Sequence, residues 1–111
     1  LGQLSQLDVL LLNDNSLTGT IPGELGQLSQ LDVLLLNDNS LTGTIPGELG
    51  QLSRLLDLNL ERNKLTGIST AFCNLPLSFF QSGACDLDHN NFGCPLPLCA
   101  HPPSKCSTTC H

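Results

Sequence analysis

Tryptophan, tyrosine and methionine are absent from this chain of 111 residues, and phenylalanine occurs only at positions 72, 79, 80 and 92. A core of leucine and isoleucine is expected, with almost no aromatic anchors for binding. Cations are scarce too. Arg54, Arg62, Lys64 and Lys105 stand against ten acids, giving a net charge of −6 that repels nucleic acid and anionic membrane surfaces. No apolar run approaches the roughly 18 residues of a membrane span, and no basic cluster is present, so direct membrane insertion and a polybasic anchor are excluded. There is no N-x-S/T acceptor for N-glycosylation and no G-x-S-x-G, Walker or H-E-x-x-H motif. An initiator methionine and a signal peptide are also missing, so the chain reads as a mature fragment or the ordered part of something longer.

What is present is repetition. Residues 1–24 and 25–48 are the same sequence, and a diverged third copy opens at Leu49. A fixed period of this size indicates stacked rungs, each presenting the same side-chain position to the same face. Within the first copy Leu1, Leu4, Leu7, Leu10, Leu12, Leu17 and Ile21 recur without helical or strict strand periodicity. Leu10–Leu12 reads as a short strand ended by Asn15, with turns at Gly19 and at Pro22-Gly23. A degenerate fourth rung places Cys85, Leu87, Asn90 and Phe92 where Leu10, Leu12, Asn15 and Leu17 stand in the first.

The segments Leu17-Thr-Gly-Thr-Ile-Pro22 and Leu41-Thr-Gly-Thr-Ile-Pro46 carry an L-x-G-x-I-P hallmark. In this the chain resembles the leucine-rich repeat family, in its plant-type class, most strongly over residues 1–67. The resemblance implies an α/β-type repeat solenoid. Each rung of the arc would contribute one short parallel strand, the whole being mostly β and irregular turns with little helix. Three repeats are expected at 1–24, 25–48 and 49–72, with the degenerate fourth at 73–98 and a Cys/Pro-rich cap or tail at 99–111. All six cysteines fall from position 73 onward: Cys73, Cys85, Cys94, Cys99, Cys106 and Cys110. Their even number in a short segment points to disulfides and an oxidising compartment, with 15 connectivities open. Their spacing fits no familiar zinc pattern.

On the strand lining the concave face that the resemblance implies, Leu10 and Leu12 point inward and the alternate residues outward. Val9, Leu11, Val33 and Leu35 then form an apolar stripe that passes into Asp57, Asn59 and a more acidic end. Clustered exposed aliphatics mark contacts, so these six residues are the candidate contact surface, although strand twist could tuck some of them into the rung. Asn15, Asn39, Asn63 and Asn90 form a column expected to satisfy buried turn backbone. Thr18, Thr42 and Thr66 align by repeat position, as do Thr20 and Thr44. They suit a solvated second strand, and Thr18, Thr20, Thr42 and Thr44 are candidates for O-glycans, with a flat ice-binding array as a further reading. Asp14 and Asp38 are a weak Ca²⁺ candidate that lacks the usual set of oxygens. Acid pairs one rung apart would match the carboxylate spacing of a retaining glycosidase, but their environments are identical, whereas acid–base work needs divergent ones.

The expectation is a non-catalytic extracellular scaffold or recognition module, secreted or at the cell surface, with no cofactor. No N-terminal cap is evident, so the first leucine layer needs a cover, and the chain is expected to stack end to end in a longer array or fibre-like assembly. The alternative is a receptor-ectodomain or enzyme-inhibitor fragment that binds a protein or peptide on its concave face.

Overall fold

The repeat bends the chain at fixed points, and the computed structural model shows how; it describes residues 6–76, 79, 84–93 and 106–107. Each of the first three rungs opens with a three-residue strand: β1 (Val9–Leu11), β3 (Val33–Leu35) and β5 (Asp57–Asn59), where β2 and β4 denote the second strands given below. An Asn-terminated turn follows. The chain then runs back in β2 (Thr18–Thr20), β4 (Ser40–Ile45) or β6 (Lys64–Ile68). Short 3-10 turns at Gly23–Gln27, Gly47–Gln51 and Thr70–Asn74 lead to the next rung. Pro22 and Pro46 precede the first two at φ −72 and −70, values the pyrrolidine ring imposes. Ser69 takes the same place in the third at φ −69.

The opening strands join β7 (Ala84–Asp86) and β8 (Cys106–Ser107) in one parallel sheet, ordered β1-β3-β5-β7-β8. Leu10, Leu34, Leu58, Cys85 and Cys106 are successive lateral partners across it. The second strands form a separate parallel sheet, β2-β4-β6, at the threonine positions that suit a second strand. The step from Leu58 to Cys85 is three residues longer than the step from Leu34 to Leu58, yet register is kept.

A cysteine pair near the end of the chain is consistent with the expected cap. Cys106–Ser107 adds a fifth strand, with Cys106 opposite Cys85 and disulfide-bonded to it at a Cα–Cα distance of 4.5 Å. It covers backbone groups of β7 that would otherwise form a bare sheet edge. Cys73 is also disulfide-bonded. Cys94, Cys99 and Cys110 lie outside the described residues.

The core lies between the two sheets and the 3-10 turns. Leu28, Leu31, Leu34, Leu49, Leu52, Leu58, Leu60 and Leu65 have no exposure. Phe72 stands in the place of Leu25 and Leu49, and Phe79 and Phe92 are wholly buried, so larger side chains fill the longer C-terminal rung. Rungs approach most closely at Gly26 and Gly50. A Cβ there would collide with the backbone carbonyls of Glu48 and Ala71 respectively, so only glycine allows this spacing. At the other end Leu12 and Leu17 are each 36% exposed, while their equivalents Leu36 and Leu41 are 3% and 4%. The difference is the presence of a preceding rung.

The Asn column clips rung to rung. Asn63 Nδ2 donates to Leu60 O (3.1 Å) in its own turn and to Leu36 O (2.9 Å) one rung back. Its Oδ1 accepts from Leu41 N (3.0 Å) of that preceding rung. Asn39 and Asn90 repeat the pattern, whereas among the described residues Asn15 bonds Leu12 O and Asn13 O of its own turn alone. Asn63→Ala should therefore destabilise the fold by about 2–4 kcal/mol, since it orphans buried groups on two rungs. Asn15→Ala should cost less than about 1 kcal/mol, and chemical denaturation of the two variants checks the contrast. Fusing one more copy of the 25–48 sequence ahead of residue 1 should raise stability by roughly 2 kcal/mol or more as Leu12 and Leu17 are covered, read from the same unfolding curves.

Candidate functional site

The five-stranded sheet turns one face inward and one outward, and lateral register sorts its outward residues into rows. One row runs Val9, Val33, Asp57, Ala84 and the next Leu11, Leu35, Asn59, Asp86, Ser107. A third row follows beyond the strands. There the carbonyls of Asn37, Glu61 and Asp88 accept from the N–H groups of Asp14, Asp38 and Arg62 on the preceding rungs, at 2.9–3.0 Å. The sheet therefore brings together all six residues named as a contact surface. Val9 and Leu11 are 42% and 56% exposed, and Val33, Leu35, Asp57 and Asn59 are half-buried between neighbouring strands. Inward, Leu34, Leu36, Leu58, Leu60 and Leu87 are buried.

Part of this surface also serves the fold. Asn59 Oδ1 accepts from Glu61 N (3.0 Å), and Asp86 Oδ1 accepts from Asp88 N (3.0 Å), each turning the chain out of its strand. The next position on every rung has positive φ: Asp14 (57), Asp38 (60), Arg62 (56) and His89 (60). Side chains there lie along one margin of the sheet. Asn13 and Asn37 donate to the carboxylates of Asp14 and Asp38 at 2.9 and 2.7 Å. Arg62 reaches Asp38 at 3.7 Å and Glu61 at 3.3 Å, and His89 Nδ1 lies 3.4 Å from Glu61. These pairs are largely solvated and add little stability. The Ca²⁺ candidates Asp14 and Asp38 are thus on successive rungs with their carboxylates already engaged by amides and, at Asp38, a guanidinium. Among the described residues no group of three or more His, Cys, Asp or Glu side chains converges as a metal site.

Leu56 was not singled out in the sequence. It is 54% exposed at the leading end of β5, where the first two copies carry Asp8 and Asp32. Comparison of the third copy with its predecessors carries the signal, because Leu56-Asp57 replaces an Asp-Val pair. The threonine columns are placed differently from their alignment by repeat. Thr18 lies beside Ser40, Thr20 beside Thr42, and Thr42 beside Lys64, with a register shift before Thr44 meets Gly67. The two-residue stagger keeps the threonines on the outer face, because side-chain direction has period two. Thr18, Thr20, Thr42, Thr44 and Thr66 are all exposed. No described helix is long and apolar enough to cross a membrane.

The Leucine Rich Repeat family model matches residues 6–28, 30–52 and 54–75. Among curated proteins none matches this sequence. Solved structures do. The plant peptide hormone receptor RGFR1, in complex with RGF2, is 35% identical with a TM-score of 0.73 over 83% of this chain and 14% of its own. The BIR2 ectodomain from Arabidopsis thaliana is 30% identical with a TM-score of 0.76, covering 94% of this chain and 55% of its own. A plant ice-binding protein is 39% identical with a TM-score of 0.70, covering 83% and 29%. The chain therefore spans only part of the length of these relatives. On the strength of three matched repeats, parallel rungs in register and this structural likeness, the chain belongs to the leucine-rich repeat family.

Proposed function

We propose that this chain is a non-catalytic extracellular recognition module that takes a peptide or an extended protein segment across its concave sheet. The observation that carries this reading is the outward patch of Val9, Leu11, Val33 and Leu35. Val9 and Leu11 are exposed and Val33 and Leu35 half-buried beside them on the outward face, and apolar patches of this kind mark contacts. Likeness to a plant peptide hormone receptor in complex with RGF2 and to the BIR2 ectodomain supports it. The Cys85–Cys106 disulfide supports an oxidising, extracellular setting.

The outer threonines support an ice-binding role less well. A lattice-matched plane needs equal rows, and here Lys64 and Ser40 stand where the lateral rows call for threonine. End-to-end stacking would cover Leu12 and Leu17, but so would any preceding rung of the same kind.

A random peptide library panned against the chain should yield binders. The double variant Leu11→Asp with Leu35→Asp should weaken them at least about tenfold, or roughly 1.4 kcal/mol, while circular dichroism and the unfolding midpoint stay close to the parent. Thr18→Ala with Thr42→Ala should leave affinity unchanged. Binders indifferent to the aspartates would overturn the concave-face reading.

A further inference from the structure

The outward face of the five-stranded sheet is not uniform. At the lateral positions where the first two rungs place Val9, Leu11, Val33 and Leu35, the third and fourth place Asp57, Asn59, Ala84 and Asp86. Glu61 and Asp88 extend the acidic half in the neighbouring row. Among the described residues the cations nearby are engaged elsewhere or belong to the other sheet. Arg62 and His89 meet Glu61, Arg62 also meets Asp38, and Lys64 belongs to the second sheet. Among the described residues, none of the ion pairs includes Asp57 or Asp86, although both are half-buried. Asp86 is moreover held in place by the Asp88 N–H.

We infer that this face selects a cationic peptide, one with aliphatic side chains over the first two rungs and a lysine or arginine over Asp57 and Asp86. The inference rests on the recognition role proposed above and adds the chemistry and direction of the ligand. Partly desolvated carboxylates that no described ion pair neutralises attract a cation more strongly than fully solvated ones, and an acidic wall steers it in. The aliphatic half supplies the apolar contact that charge alone does not. The centres of the two halves lie two rungs apart, roughly 10 Å at ~4.8 Å per strand, which is about three residues of extended chain. A long basic side chain placed two or four residues beyond the aliphatic one reaches the pair of acids.

Fluorescence anisotropy on the full chain tests this with synthetic peptides in which two leucines are followed, three residues on, by two arginines. Companion peptides carry glutamine or glutamate in place of arginine. The arginine peptide should bind about tenfold more tightly than the glutamine one, with the glutamate peptide weakest, and the gap should narrow as salt rises. Asp57→Asn with Asp86→Asn should erase the arginine advantage and leave the glutamine peptide unaffected. Asp8→Asn with Glu24→Gln removes the same net charge elsewhere and should preserve the advantage. Equal binding of arginine and glutamine peptides, with sensitivity to Leu11→Asp and Leu35→Asp retained, would overturn the charge selection and leave the recognition role standing. Arginine preference surviving in the Asp57, Asp86 variant would also overturn it. Binding of none of the peptides, or binding indifferent to the leucine variants, would remove both.

Discussion

A carboxamide at the end of each strand holds the stack together. Where one rung covers the next, the turn that closes the strand has its N–H and C=O groups shut off from water, and both kinds need partners. Asparagine offers a donor and an acceptor on one short side chain. Asn63 uses the donor on carbonyls of two rungs and the acceptor on the N–H of Leu41, so a single residue satisfies both layers. An aspartate would lack the donor and a leucine would offer neither. The same turn requires positive φ at the residue before the asparagine, which confines that side chain to the sheet margin. The charged margin formed by Asp14, Asp38, Arg62 and His89 is thus a by-product of how the turns are closed.

With the rungs clipped at constant spacing, parallel register turns sequence differences between copies directly into surface chemistry. The inward positions tolerate little: Leu34 and Leu58 share a place and are both fully buried. The outward positions are free to change, and Val33 gives way to Asp57 and Leu35 to Asn59 and Asp86 without disturbing the ladder. Recognition on such a scaffold is set by outward substitutions alone, which is why a surface with almost no aromatics can still carry a directional pattern.

The periodic features were legible in the sequence, and the features that depend on stacking were not. The leucine layers and the Asn column repeat with the copies, so the inward face and the outward stripe could be named by residue. The threonine rows could not, because lateral neighbours in a parallel sheet are set by how layers slide over each other. An alignment of copies puts Thr18 with Thr42, but a two-residue stagger puts Thr20 there. The fifth strand left no local trace, as Cys106–Ser107 has neither alternation nor flanking leucines. It is held by pairing to β7 and by a disulfide across 21 positions of sequence. Leu56 was visible only as a difference between copies, not as a pattern within one.

Exact duplication also has an electrostatic consequence. Any acid in the repeat is stacked on its twin one strand spacing away, and like charges that close are unfavourable. Along the margin the third copy relieves this: Arg62 stands where Asp14 and Asp38 stood and reaches the Asp38 carboxylate. On the outward rows of the five-stranded sheet divergence runs the other way. Asp57 and Asp86 bring acid to places the earlier copies fill with Val and Leu, and none of the described ion pairs compensates them. Asp57 is not needed to hold the strands together laterally, since alanine serves at 84 in the same row, whereas Asp86 also closes its own turn by accepting from the Asp88 N–H. On the recognition role proposed here, charge that no described ion pair answers is the charge a ligand meets, and its sign favours a cationic one.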